Sequence, residues 1–378
     1  MQIEYFDNGT ALPLSTILFK QQVKKIFLVS GKQSFLKSGA FSAFTKATKG
    51  IETLHFNDFS ANPKLTEAIE GIKLLRTFQA DIVVAIGGGS VIDMGKLITL
   101  LSAQPTDDYC SIIEHSAITE AGLPFVAIPT TSGSGSEATR YAVVYIGGIK
   151  HSLTHSFVLP NYSIVDPSLT FNSPRYQLAV SGMDALCQAV ESYWSRNAAP
   201  ESRDLSSQAI TLIFNNIFDA VCERSKDALK KMALGANKAG KAINITETTG
   251  AHAISYSLTT RYSIPHGHAV ALILGKLFTV HQSYLDTLAE GPLKTDLTNT
   301  FNGIYSLLAC SDAGSCSNLW HELMVKIGLE TDMAKLGVRT PEDYQFIANS
   351  INPTRLRNHP IQLNRSIVGN LFNSSASK

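Results

Sequence analysis

Residues 81–96 read DIVVAIGGGSVIDMGK. Five apolar residues, rich in β-branched types, run from Ile82 to Ile86 and stop at three glycines and a serine. A short unbroken apolar run that ends in glycine is the pattern of a strand buried on both faces. The segment after Ser90 takes up helical spacing and continues through Leu101. Strand, glycine turn and helix in succession form the unit of a doubly wound parallel sheet. The turn also has a chemistry. Glycines let backbone N–H groups come close to a ligand, and a helix N-terminus carries partial positive charge, so Gly87, Gly88, Gly89 and Ser90 can cradle phosphate. The spacing is neither G-x-G-x-x-G nor a Walker A loop, so a glycine stretch that only turns the chain stays open beside that reading.

Outward from this unit the same alternation recurs. Residues 25–31 (KIFLVSG) read as a buried strand feeding a loop, and residues 53–56 as a weaker one. Residues 65–79 have helical spacing, and residues 1–20 offer short β-like runs with Asn8-Gly9 as a turn. Residues 124–129 (PFVAIP) form another buried strand, followed by a loop of small hydroxyl residues and glycines, 130–139 (TTSGSGSEAT). Two such loops at strand ends strengthen a cofactor-binding reading, because open α/β sheets bind ligands at the carboxyl ends of their strands. After Asp166-Pro167 the periodicity is helical throughout, near 175–195, 201–223, 226–243, 247–256, 266–282, 296–310, 317–327 and 341–349. The expectation is an α/β dinucleotide-binding domain over residues 1–168 and an all-helical domain over 169–378.

The composition limits the function classes. A chain of 378 residues, 44% hydrophobic and 17% charged, is globular and long enough for two cores. Its net charge of +1 predicts no attraction to nucleic acid or to an anionic membrane surface. No apolar run is long enough to span a membrane, and residues 1–10 carry no secretion signal. Cys110, Cys187, Cys222, Cys310 and Cys316 are scattered and form no C-x-x-C pair, which argues against a disulfide framework. A cytoplasmic protein acting on a small molecule is the expectation.

Two stretches of the helical half carry chemistry. In residues 181–195 (SGMDALCQAVESYWS), Asp184, Gln188 and Glu191 fall at i, i+4 and i+7 and share one helical face. They are either a solvated stripe or a set that reaches a common cation or substrate. Residues 252–269 (HAISYSLTTRYSIPHGHA) bring His252, His266 and His268, the last two bracketing Gly267 just after Pro265. Neutral imidazole together with carboxylate suits Fe(2+) or Zn(2+), and a metal with an open position polarises a carbonyl.

Residues 87–96 and 183–191, together with PTTSGSGSEAT (129–139), VDPSLT (165–170) and the 252–269 segment, resemble the group III, iron-containing alcohol dehydrogenases. The likeness spans nearly the whole chain in motif order. It implies a dehydroquinate synthase-like architecture of α/β plus helical domains, a divalent metal, and hydride transfer between NAD(P)H and a carbonyl. Within the family, residues 150–170, 184–195, 246–269 and 351–363 are most similar to the branch that reduces phosphonoacetaldehyde to 2-hydroxyethylphosphonate. Carried over by position, the phosphate loop falls on Gly87, Gly88, Gly89 and Ser90, with Asp93 toward the nicotinamide. The hydroxyl loop falls on Thr130, Thr131 and Ser134, and the ribose lysine on Lys150. The metal ligands fall on Asp184, Gln188, His252 and His266. A solvent proton is expected to reach the alkoxide through His268, His266 or the nicotinamide ribose hydroxyl. An anionic substrate calls for cations, and Arg261 is the first choice, with Arg140, His151 and His155 behind it.

The chain departs from the family pattern in places. Gln188 stands where histidine is usual, which weakens the metal site unless His268 replaces it, and Tyr256 stands where another histidine is common. Gly31, beside Lys32, replaces the acidic residue of NAD-preferring relatives, so NADPH is expected to be accepted. Other readings stay open: a general short-chain alcohol dehydrogenase, a dehydroquinate synthase-type lyase, and a nucleotide-binding relative without turnover. A homo-oligomer, most simply a dimer, is implied by the resemblance.

Overall fold

Alternate residues along the central strands enter two different cores, and this alternation organises the first half of the chain. The computed structural model describes residues 2–351 and 353–373. It divides into two compact units, Met1–Ser173 and Pro174–Lys378. In the first unit the strands are β1 (Ile3–Phe6), β2 (Lys25–Ser30), β3 (Glu52–Phe56), β4 (Ile82–Gly87), β5 (Phe125–Pro129), β6 (Tyr141–Ile146), β7 (Ile149–Thr154) and β8 (Tyr162–Val165). The helices are α1 (Ala11–Lys20), α2 (Ser34–Lys37), α3 (Ala40–Ala47), α4 (Leu65–Phe78), α5 (Gly89–Ser102) and α6 (Tyr109–His115). Six strands form one sheet in the order β1-β8-β5-β4-β2-β3, parallel throughout. Phe27, Val29, Val83, Ala85 and Ala127 pack with α4, α5 and α6 on one face. Ile26, Leu28, Ile82, Val84, Ile86, Val126 and Ile128 pack with α1 and α3 on the other. Burial on both faces explains why these strands read as unbroken apolar runs.

Two local readings of the sequence are corrected. Residues 11–20 form a helix, because Leu14, Ile17 and Leu18 recur at helical spacing and are buried together. The alternation of strand and helix is broken by an antiparallel hairpin, in which β6 and β7 form a sheet of their own. Gly147 and Gly148 make its turn with φ of 57° and 82°, the left-handed pair that a two-residue hairpin needs.

The second unit is helical: α7 (Arg175–Trp194), α8 (Pro200–Phe214), α9 (Lys226–Thr246), α10 (Gly250–Tyr262), α11 (His266–Thr287), α12 (Pro292–Leu307), α13 (Ala313–Lys326), α14 (Pro341–Asn349) and α15 (Arg365–Asn373). From Leu178 to Ser192, α7 is buried all round, polar positions included. A helix with no solvated face must satisfy its polar side chains within the protein. Among the described residues no helix is long and apolar enough to cross a membrane.

Candidate active site

In the first unit the sequence-predicted cofactor residues collect at one edge of the sheet. β2 and β4 are neighbours, with Ser30 paired to Ile86, but the chain leaves β2 for β3 on one side and β4 for β5 on the other. Such a reversal of strand order is where open α/β sheets bind dinucleotides. Gly31 follows β2, Gly88 to Ser90 follow β4, and Thr130 to Ser134 follow β5, whose Pro129 pairs with Gly87. Gly88 is the N-cap of α5 and offers no side-chain cap. The Val91 and Ile92 amides return to the Gly88 carbonyl. The preceding amides, of Gly89 and Ser90, head the helix as an anion would need them. A side chain at Gly89 would meet Ser134 Oγ at 2.6 Å, so the glycine and hydroxyl loops are in contact. Thr130 Oγ1 and Ser132 Oγ are buried and lack a hydrogen-bond partner among the described residues, which fits a loop built to receive polar ligand atoms.

The neighbouring charges brace these loops. Asp93 accepts the Ser136 hydroxyl at 2.6 Å and the Val143 amide at 3.0 Å, tying α5 to the hydroxyl loop and the hairpin. Lys96 donates to the carbonyls of Thr139 and Tyr141 at 2.8 and 2.7 Å. Burial pulls its pKa down to about 8, against the charges of Asp93 and Glu137. Lys150 lies in β7 opposite Tyr145, and its charge is felt by Asp93. Lys32, the cation beside Gly31, pairs with exposed Asp58 at 2.7 Å, and that carboxylate offsets the positive charge that favours NADPH. Arg140 is exposed, and His151 lies in β7 opposite Val144. His155 caps a short turn by accepting the Phe157 amide.

In the second unit, one carboxylate oxygen of Asp184 and one ring nitrogen each of His252 and His266 lie within 4.8 Å of one another. Asp184 and His252 are buried and His266 is partly exposed. Gln188 is buried one turn along α7 from Asp184. His252 comes from the first turn of α10 and His266 begins α11 directly after Pro265. Gly267 is what allows this meeting. A Cβ there would stand 2.1 Å from the Val180 carbonyl oxygen and 2.7 Å from Asp184 Cβ, so only glycine lets α11 start against α7.

Behind the cluster stands Glu191, fully buried. The sequence grouped it with Asp184 and Gln188, but its carboxylate turns to the start of α10. It accepts the Thr249 hydroxyl at 2.6 Å and the amides of Ala251, Thr249 and His252 at 2.8, 3.2 and 3.4 Å. It also accepts the Nδ1–H of His252. A carboxylate there offsets the helix dipole and holds the Nδ1–H, so Nε2 is the nitrogen turned toward Asp184 and available to a metal that displaces its proton. That Nε2 is buried, has no hydrogen-bond partner and lies 3.5 Å from Asp184 Oδ1. A carboxylate, two imidazoles and an amide oxygen, with one imidazole nitrogen left over, fit a divalent cation such as Fe(2+) or Zn(2+).

Two expected partners do not join. His268 is buried and donates from Nε2 to the Glu330 carbonyl at 2.7 Å, while its Nδ1 faces the Tyr176 hydroxyl at 3.1 Å. Both nitrogens are occupied, and the cluster of possible metal ligands is Asp184, His252 and His266 without His268. Arg261 lies between two ligand positions in sequence, but it is nine residues beyond His252 in α10, half a turn round the helix. It is exposed, 4.2 Å over the Phe346 ring and 3.9 Å from Asp343. The face of His252 instead carries Tyr256, whose ring lies parallel to His266 at 5.9 Å. Arg355 donates to the Tyr256 hydroxyl at 2.9 Å, an arginine the sequence reading passed over.

The family profile described as "Iron-containing alcohol dehydrogenase" matches residues 3–167, and "Fe-containing alcohol dehydrogenase family, C-terminal" matches residues 178–376. Long-chain-alcohol dehydrogenase 1 of Geobacillus thermodenitrificans is 32% identical over 83% of this chain and 80% of its own length. Phosphonoacetaldehyde reductase of Streptomyces viridochromogenes is 37% identical over 54% of each chain. The crystal structure of sulfoacetaldehyde reductase from Bifidobacterium kashiwanohense, in complex with NAD+, superposes with a TM-score of 0.88 at 28% identity, covering 100% of this chain and 97% of the other. These matches leave the lyase and non-catalytic readings without support, and the chain belongs to the iron-containing alcohol dehydrogenase family of oxidoreductases.

Proposed function

We propose that this protein reduces phosphonoacetaldehyde to 2-hydroxyethylphosphonate at the expense of NAD(P)H. Hydride passes from nicotinamide C4 to the aldehyde carbon, and a proton from solvent completes the alcohol on the carbonyl oxygen. The observation that carries the reading is the Asp184–His252–His266 cluster, with fully buried Glu191 behind it. The 37% identity to a phosphonoacetaldehyde reductase supports the substrate.

Asp184, Gln188, His252 and His266 would hold the divalent metal, which when bound supplies Lewis-acid polarisation of the carbonyl. Glu191 keeps His252 in the tautomer that presents Nε2. The amides of Gly89 and Ser90 and the hydroxyls of Thr130, Thr131 and Ser134 would take the cofactor's pyrophosphate and ribose, with Lys150 on a ribose. Asp93 and Lys96 hold that loop in shape through Ser136 and Thr139.

A second reading is reduction of an uncharged aldehyde, favoured by the fuller coverage of long-chain-alcohol dehydrogenase 1 and of 1,3-propanediol dehydrogenase from Klebsiella pneumoniae, 32% identical over 86% of this chain. The rates of NADH and NADPH oxidation decide, measured with phosphonoacetaldehyde, acetaldehyde and propanal, after chelation and after Fe(2+) is restored. Oxidation that is metal-dependent and selective for the phosphonate upholds the proposal. Equal or greater kcat/KM with propanal transfers the assignment to the second reading.

A further inference from the structure

An acetaldehyde that carries a tetrahedral oxyanion has two ends to be held. Its carbonyl oxygen and its phosphorus or sulfur are three bonds apart, a span of about 4 Å. A cation that reads the anionic end must therefore stand close to the group that holds the carbonyl, and must not be occupied by a carboxylate of its own.

Arg355 meets both conditions. It lies in the short turn Pro353–Leu356. Both Arg355 and the cluster residue His266 border one ring, that of Tyr256, which lies parallel to the His266 imidazole at 5.9 Å and 4.8 Å from the Arg355 guanidinium carbon. One guanidinium N–H goes to the Tyr256 hydroxyl at 2.9 Å. No carboxylate among the described residues pairs with Arg355. A guanidinium has five N–H donors in a planar fork that matches two oxygens of a phosphonate or sulfonate. Stacking on Tyr256 fixes the plane of that fork.

The turn that carries Arg355 is itself anchored to the helices that build the cluster. Asn358 donates to the carbonyls of Thr246 and Thr248 at 3.0 and 2.8 Å. His359, fully buried, accepts the Gly250 amide at the head of α10 at 3.2 Å. Arg196 donates to the Pro360 carbonyl. The chain three to five residues beyond Arg355 is therefore tied to the end of α9, the start of α10 and the end of α7. Preorganisation of this kind separates a recognition arginine from a solvated one.

We propose that Arg355, seated on Tyr256, binds the tetrahedral oxyanion of the aldehyde substrate and sets the preference of this enzyme for anionic over uncharged aldehydes. The inference rests on the reading of the substrate as an anionic aldehyde. The test is kcat/KM of the metal-loaded wild type, Arg355→Lys and Arg355→Ala with phosphonoacetaldehyde, sulfoacetaldehyde and propanal. In the wild type one or both anionic aldehydes should exceed propanal. The ratio of the better anionic substrate to propanal should fall at least 100-fold in Arg355→Ala and about tenfold in Arg355→Lys, which keeps the charge and loses the fork. A fall in all three activities with the ratio unchanged means that Arg355 only props Tyr256, and overturns the inference. If sulfoacetaldehyde is preferred and its ratio collapses, the phosphonate assignment fails while the role of Arg355 stands. A wild type indifferent to the anion overturns both. Should Arg355→Ala fail to fold, the Lys variant decides on the same ratio.

Discussion

Replacing Glu191 by Gln removes one charge and almost no volume, and it should weaken the metal site without any ligand being touched. Glu191 receives the Nδ1–H of His252 on one oxygen and donors from the start of α10 on the other. A glutamine can keep its carbonyl oxygen toward the Thr249 hydroxyl and the Ala251 amide, but its NH2 then faces His252. Two N–H groups cannot share a hydrogen bond, so the imidazole must shift its proton to Nε2, the atom that faces Asp184. A ligand with a proton on its donor nitrogen does not bind, and loss of such a supporting partner typically weakens metal affinity by about 10–100-fold, or about 1.4–2.8 kcal/mol. The assay is competition for Fe(2+) or Zn(2+) against a chromophoric chelator, with kcat/KM measured at limiting and at saturating metal. A second readout comes from the metal-free protein. Burial by itself would lower the His252 pKa, but the Glu191 and Asp184 charges overcome it and push it up to about 10. A base whose pKa is raised by folding contributes stability that is complete below about pH 6.5 and is lost as pH rises toward 10. The metal-stripped wild type should therefore lose thermal stability across that window, and Glu191→Gln should lose less. Metal affinity within threefold of wild type, together with an unchanged pH slope, would refute the argument.

Gln188→His should tighten metal binding about tenfold or more, since imidazole is the better ligand for Fe(2+) and Zn(2+); unchanged affinity in the same competition assay removes Gln188 from the ligand set. Gly267→Ala puts a Cβ 2.1 Å from the Val180 carbonyl oxygen, so α11 must retreat by about 1 Å. The melting temperature and the metal affinity should fall together, by about 1–3 kcal/mol in stability, and loss of neither contradicts the packing argument. His281 and His359 are buried side by side with their Nε2 atoms 3.1 Å apart. Burial lowers the His281 pKa to about 3, and burial followed by the charges of His281 and Arg196 holds His359 well below its ordinary value. Below about pH 6.5 the unfolded chain takes up protons that the folded chain refuses, so stability should fall on acidification, by about 1.4 kcal/mol per pH unit for each ring. Thermal unfolding between pH 7.5 and 4.5 should show this slope, and His281→Leu should flatten it; an equal slope in the variant would exclude this pair as its source.

What the sequence made legible was governed by periodicity and by local turn chemistry. The strands at 82–87 and 125–129 were readable because helices cover both of their faces, which leaves no polar position to break the run. The β6–β7 hairpin was missed although Gly147-Gly148 between two β-rich stretches is a hairpin signal, because the expected strand–helix alternation was carried on past it. Residues 11–20 were misread because a short apolar stretch does not declare its period. The Asp184, His252 and His266 positions were found through spacing and resemblance, and the structure brings them together. In the sequence Gly267 is only the residue bracketed by His266 and His268, whereas its function is to have no side chain at a point where two helices touch. No pattern within one helix could reveal that, since the clash is with a residue 87 positions away.

Setting Arg261 beside Arg355, the cation proposed above, shows what one-dimensional proximity leaves out. Arg261 was attractive because it lies between His252 and His266 in sequence, yet each residue of a helix turns the side chain by 100°, and nine residues bring it to the far side. There it stacks on Phe346 and approaches Asp343, so its charge is already engaged. Arg355 is 89 residues from His266, but it reaches Tyr256, the neighbour of His266, in a segment whose Asn358 and His359 bind the polar groups exposed where α9 ends and α10 begins. Those helix ends need partners in any case. The segment that satisfies them carries an arginine three residues before the anchor, and one requirement of folding thereby seats a cation on Tyr256. On this view substrate preference is written in a loop whose backbone role is structural. Substitutions at Asn358 should then alter anion selectivity through the position of Arg355, while leaving the ligand residues themselves unchanged.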